Sequence, residues 1–167
     1  MDTAVSLMQE KTSPRRDRLT IRPGVKPRAT PLASSAGAFI AGFLSTLVLH
    51  QGVLTLLWLS GAISRVPYDM TRTAPLGVPA VISLAVWGGI WGAAIWPSLK
   101  SARGRVYWLR ALLIGALVPS VVSLFIVLPL KGMPVAGGWD LKIIASALVL
   151  NGSWGLGVAL FMRNARV

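Results

Sequence analysis

Charged residues along this chain are confined to the gaps between four long apolar windows. No Asp, Glu, Lys or Arg occurs between Arg28 and Arg65, between Arg72 and Lys100, between Arg110 and Lys131, or between Lys142 and Arg163. A bilayer core about 30 Å thick takes roughly 20 apolar residues as helix, so each window is long enough to cross it. The flanking polar residues set the predicted spans at Ala36–Ser60, Leu76–Leu99, Trp108–Leu130 and Lys142–Met162. The windows lack a sustained two-residue alternation, and backbone groups in lipid must be paired within the segment, so helices rather than barrel strands are required. The expected fold is all-α: an integral membrane bundle of four transmembrane helices over residues 36–167, behind a basic tail over residues 1–35.

Composition agrees with this pattern. A chain of 167 residues with 54% hydrophobic residues, 13% charged residues and a mean hydropathy of +0.66 is too apolar for a soluble domain of its size. The tail segment "KTSPRRDRLTIRPGVKPRAT" is rich in Pro, Ser, Thr and Arg and poor in large apolar residues, which predicts disorder in solution. Its arginine pair invites comparison with a twin-arginine export signal. The apolar run beyond it is too long for such a signal and starts about twenty residues downstream, so an uncleaved first transmembrane helix is expected.

Charge then sets orientation. The tail, the second loop with the start of the third span, and the C-terminus carry thirteen Lys and Arg residues between them, whereas Arg65, Arg72, Lys131 and Lys142 make four on the other side. By the positive-inside rule both termini are expected to face the cytoplasm. The net charge of +12 also raises the question of nucleic acid. These cations bracket apolar spans, which topology alone produces, so the expected partner of the charge is the lipid bilayer and no nucleic acid is expected.

Helices in lipid associate through close approach at small residues and through interhelical hydrogen bonds. The first span carries Ala38, Gly42, Ser45 and Gly52 on roughly one face. The second carries Gly88 and Gly92 in GxxxG spacing, and the fourth carries Gly152, Ser153 and Gly155; these are the predicted packing faces. Pro79 and Pro119 fall inside the second and third predicted spans, where a missing hydrogen bond predicts a bend. "GGIWGAAI" from Gly88 and "NGSWGLGV" from Asn151 share G-x-W-G sixty-three positions apart. The match points to two repeated helical hairpins; a four-residue similarity in Gly-rich helices also arises by chance, and the first and third spans match poorly.

Polar residues inside the spans are the next candidates for chemistry. Counted from the outer ends at 1.5 Å per residue, His50, Gln51, Ser83, Ser120, Ser123 and Asn151 all fall roughly 10–15 Å deep and are expected to form one polar layer. Thr46 and Thr55, one turn away, are within reach of His50 and Gln51. The functional reading of this layer is a site for a proton, a quinone or a small polar ligand. The plainer reading is a hydrogen-bonded clasp that fixes helix register, with bonds worth about 0.6 kcal/mol each.

Other chemistry finds little support. The chain has one histidine and no cysteine, too few for a zinc site from a single chain, and Met70, Met133 and Met162 lie near the membrane surfaces, away from His50. No metal and no cofactor is expected. No Ser-His-Asp or HExxH pattern occurs, so the expectation is a protein that is not an enzyme. The loop "SRVPYDMTRTAPLGVP" reads either as a proline-stiffened turn with Asp69 paired to Arg65 or Arg72, or as a docking surface for a partner protein. Trp58 and Trp139 are placed at the outer interface and Trp96 and Trp108 at the inner one, with Trp87, Trp91 and Trp154 deeper as packing wedges.

The segments "AGFLSTLVLHQGVL", "PYDMTRTAPLGVPAVISLAVWGGIWG" and "NGSWGLGVALFM" together resemble a group of small four-helix bacterial inner-membrane proteins without assigned activity. The resemblance implies a multi-pass membrane protein and transfers no catalytic residue. The expected function is therefore a structural or accessory one, exercised through contacts with a membrane-protein partner or a second copy. The alternative is a small transporter or channel built around the layer at His50.

Overall fold

The computed structural model describes residues 31–164, so residues 1–30 of the tail, with the arginine pair, lie outside the described residues, and the first helix already begins within the predicted tail, at Pro31. The described residues form an all-α bundle with four helices long and apolar enough to cross a membrane. Helix one is α-helical over Pro31–Ser45, π-helical over Thr46–His50 and α-helical again over Gln51–Leu59. Helix two covers Ala80–Lys100. Helix three runs through Gly104–Val122, a second π-helical turn at Ser123–Val127 and a last turn at Leu128–Leu130; helix four covers Leu141–Asn164.

The boundaries differ from the sequence expectation at identifiable places. Pro79 does not bend helix two. It precedes that helix with extended dihedrals (φ −54°, ψ 139°) and belongs to a two-residue strand, β2 (Val78–Pro79), paired antiparallel with β1 (Arg72–Thr73). Helix two thus begins four residues later than expected, after a compact loop. The proline inside it is Pro97, near its C-terminal end. Helix three begins at Gly104 rather than Trp108, so its first turn, with Arg105, lies ahead of the predicted span. Pro119 does lie within helix three; without an N–H it cannot bond the carbonyl one turn back, and the wide turn begins four residues later.

Helices one and two pack as one pair, and helices three and four as another. Glycine explains the closeness of both. A Cβ on Gly92 would come within 3.0 Å of the Gly42 Cα and would strike the Ala38 carbonyl; one on Gly88 would meet the Thr46 hydroxyl. A Cβ on Gly155 would come within 2.9 Å of the Gly115 Cα and would strike the Ala111 carbonyl. The two contacts are equivalent: Ala38 and Gly42 in helix one have the spacing of Ala111 and Gly115 in helix three, and Gly92 and Gly155 occupy the same place in G-x-W-G. The hairpins therefore repeat in packing as well as in motif, with both first helices running one way across the bundle. Gly152 packs against Leu112 and Ala116, whereas Gly52 has nothing within 4 Å and is not part of a packing face.

The pairs are joined by helix one against helix four, where Gly157 sits against Ser45 and Leu49. Buried apolar side chains concentrate in the half nearer the connection between helices two and three: Ala38, Ala41, Ile95, Leu99, Ala111, Trp154, Val158 and Met162 belong to one cluster. Tyr107 and Trp96 belong to it too. The Tyr107 hydroxyl donates to the Ala159 carbonyl at 2.8 Å, and the Trp96 Nε1–H donates to the Ser34 hydroxyl. Trp96 is thus a core residue rather than a member of an interfacial belt, and Trp87, 59% exposed, is not an internal wedge. Trp108 is half-buried and carries the Arg163 guanidinium 5.7 Å from its ring centre.

Candidate functional site: the outer polar groups and their loop

The π-helical turn sets the geometry of the C-terminal half of helix one. A wide turn inserts an extra residue into the helix, which re-aims the side chains beyond it and loosens its carbonyls. Gln51, immediately after the turn, is buried, and its Oε1 accepts the backbone N–H of Tyr68 at 2.8 Å. The Tyr68 hydroxyl in turn donates to the carbonyl of Leu47, within the wide turn, at 3.0 Å. Tyr68 takes φ 51°, a left-handed conformation that a tyrosine rarely adopts; these two bonds offset its cost.

Helix two holds the other end of the same loop. The N–H of Val81 donates to the Asp69 carbonyl and that of Ala80 to the Thr71 carbonyl, each at 2.9 Å. These bonds satisfy donors that the first turn of a helix otherwise leaves free. Asp69 forms no ion pair with Arg65 or Arg72: its Oδ1 accepts the Thr71 N–H at 2.8 Å. Hydrogen bonds from the side chain and backbone of Thr71 hold the Asp69 carboxyl below its usual range, with a smaller contribution from Arg65. Under the loop, Gln51, Leu54, Arg65, Asp69, Val81 and Leu84 line a cavity of about 10 Å³. That is room for about one water, far less than a substrate needs.

The six polar residues read as one layer are distributed differently. Asn151 and Ser120 meet, Nδ2 donating to Oγ at 2.9 Å, and so tie helix four to helix three. Gln51 is committed to the loop. His50 makes no bond with Thr46, whose hydroxyl donates instead to the Gly42 carbonyl at 3.0 Å; the His50 Nδ1 is buried without a hydrogen-bond partner. Thr55 does reach Gln51, at its main-chain carbonyl (2.8 Å) rather than its amide. Ser83 and Ser123 are half-buried and make no side-chain hydrogen bond among the described residues. The layer resolves into a clasp between helices three and four, an anchor for the loop, and a histidine apart from both.

Several residues that matter to this arrangement gave no sequence signal strong enough to single them out. Tyr68 stood in a loop, with no sign of reaching back into helix one. Gly115 was missed, although the shared spacing of Ala38 to Gly42 and Ala111 to Gly115 was there to find. Two of the bonds joining the hairpins link helices one and four through main-chain carbonyls: Ser45 donates to that of Trp154 at 2.6 Å, and Trp154 Nε1–H to that of Gly42 at 3.0 Å. Among the described residues no group of three or more His, Cys, Asp or Glu comes together. Compared with protein-family models, curated proteins and solved structures, the chain finds no match.

Proposed function

We propose that this chain is a non-enzymatic accessory protein of a bacterial inner membrane, with both termini cytoplasmic, that acts by docking a partner membrane protein on its outer loop. One observation carries the reading. The segment between helices one and two is fixed at both ends by hydrogen bonds to the helices, yet it leaves Val66, Met70 and Leu76 exposed at 58%, 65% and 84%. Flexible loops shed exposed apolar side chains by moving, whereas a pinned loop displays them, and displayed apolar surface marks contact sites. The packing glycines support the same assignment by elimination: Gly42, Gly88, Gly92 and Gly155 are used up within the chain and offer a partner nothing. The thirteen-to-four split of Lys and Arg favours the orientation.

The test is a photocrosslinking residue placed at Met70 or Leu76 and irradiated in native membranes. A single adduct of defined mass is expected, and Met70→Glu with Leu76→Glu should abolish its co-purification. Adducts to lipid alone would sink the reading.

A second reading, a small transporter or channel, draws on the buried and unpartnered His50 Nδ1. In that case His50→Ala changes flux in proteoliposomes while helix content stays constant.

A further inference from the structure

Helix one and helix four are in close contact over their inner halves and part company outward. The contact is tight at Gly157 against Ser45 and Leu49, and at the two bonds linking Trp154 with Gly42 and Ser45. Beyond it opens a groove of about 300 Å³, walled by Leu57, Gly61 and Ala62 at the end of helix one and by Lys142, Ala145 and Val149 at the start of helix four. The one hydroxyl on its wall, that of Ser146, is spent on the Lys142 carbonyl at 2.6 Å. The lining is therefore apolar with a single cation at one end.

Position decides what fills it. Leu57 and Val149 lie within the segments long and apolar enough to span a membrane, so the groove lies at hydrocarbon depth, toward the end of the bundle that carries the loop between helices one and two. From Lys142 to Val149 helix four rises roughly 10 Å, about two-thirds of one leaflet's hydrocarbon depth. An unfilled apolar groove forfeits dispersion contacts along its walls, and the nearest material able to restore them is a lipid chain. Lys142 is exposed and has no carboxylate partner among the described residues, because Asp140 turns its Oδ1 to the Lys142 backbone N–H at 2.8 Å. An ammonium at the mouth of an apolar slot complements a phosphate carried on an acyl chain.

We propose that this groove is a binding site for one anionic glycerophospholipid, with an acyl chain between Leu57 and Val149 and its phosphate on the Lys142 ammonium. The site is separate from the loop that docks a partner, and its test does not depend on that docking.

The full chain, stripped of lipid in detergent, is titrated with phosphatidylglycerol and with phosphatidylcholine while bound lipid is counted by native mass spectrometry. One phosphatidylglycerol should bind in preference to phosphatidylcholine. Lys142→Ala, a change at an exposed side chain, should weaken phosphatidylglycerol about fivefold and leave phosphatidylcholine unchanged. Ala145→Trp fills the slot and should remove the bound lipid, whereas Ala94→Trp, on the exposed face of helix two, should not. Should Ala145→Trp fail to fold, a spin label on Val149→Cys, unique in this cysteine-free chain, should be immobilised by added phosphatidylglycerol and not by phosphatidylcholine. Equal binding of the two lipids, or indifference to both Lys142→Ala and the groove-directed change, overturns the proposal. So does a protein cross-linked through Ala145→Cys, which would make the groove a seat for a helix.

Discussion

Trp154 of helix four donates its indole N–H to the main-chain carbonyl of Gly42 in helix one at 3.0 Å, and the Thr46 hydroxyl donates to the same oxygen at 3.0 Å. One carbonyl with two lone pairs thus serves both the turn of its own helix and the neighbouring hairpin. Trp154→Phe keeps the ring and deletes the donor. The expected loss is about 0.6 kcal/mol, the average for a hydrogen bond between transmembrane helices. Trp154→Ala also opens a cavity and should cost on the order of 3 kcal/mol. Denaturation of purified protein by a harsh detergent titrated into a mild one reads both; a Trp154→Phe variant as stable as the parent would mean that the indole N–H contributes nothing.

Glycine substitutions should separate into two kinds. Gly92→Ala and Gly155→Ala each drive a methyl into the backbone of the paired helix, which cannot swing aside as a side chain would, so both should lower the denaturation midpoint. Gly52→Ala meets nothing within 4 Å and should stabilise helix one by up to about 1 kcal/mol. If all three variants behave alike, close backbone approach is not what holds the hairpins.

The clasp between Asn151 and Ser120 calls for a double-mutant cycle. Asn151→Ala and Ser120→Ala should each destabilise, and the double variant should recover a coupling energy of about 0.6–1.7 kcal/mol. Strict additivity would leave the 2.9 Å contact without energetic content.

Gln51 is the residue on which the loop between helices one and two turns. Gln51→Leu leaves the Tyr68 N–H without its acceptor at a cost of about 1–3 kcal/mol, spent on the loop rather than on the bundle. With Met70→Cys as a reporter in a chain that has no other cysteine, maleimide labelling or proteolysis of the loop should accelerate while helix content is unchanged. Tyr68→Phe, which loses the bond to Leu47, should act in the same direction.

Acidification should loosen the same loop by a different route. Thr71 stabilises the charged form of Asp69, so the folded carboxyl titrates below its ordinary value of 3.8. A lowered value of this kind contributes stability above the unfolded pKa, lost as pH falls through the folded one. Proteolytic sensitivity of the loop should therefore be flat from neutral pH down to about 4 and rise below it, and Asp69→Asn should abolish the rise.

The spans were legible because lipid permits so few ways of burying a backbone, and four charge-free windows left no rival arrangement. Glycine faces were legible for a related reason, since only small residues allow close approach. The direction of polar side chains could not be read. Depth along a straight helix placed His50, Gln51, Ser120 and Asn151 together, but a π-helical turn at Thr46–His50 rotates the side chains beyond it, and no residue in that turn announces it. Pro79 misled because a proline near the start of an apolar run fits the first turn of a helix as well as an extended approach to one. The carbonyls that join the hairpins were beyond reach, since every residue has one.

Two like hairpins set side by side have two equivalent seams through which to meet: the first helix of one against the second helix of the other, or the reverse. Here Trp154 bonds across one seam, while its counterpart Trp91 makes no such bond across the other among the described residues. The counterpart of Ser45, Val118, has no hydroxyl to offer. Glycines within each pair leave the order of neighbours degenerate; the Trp154 indole, the Ser45 hydroxyl and Gly157, whose counterpart in helix two is Ala94, lift the degeneracy. The chain thereby marks one seam over the other at a few positions, independently of everything that makes it greasy enough to enter a membrane.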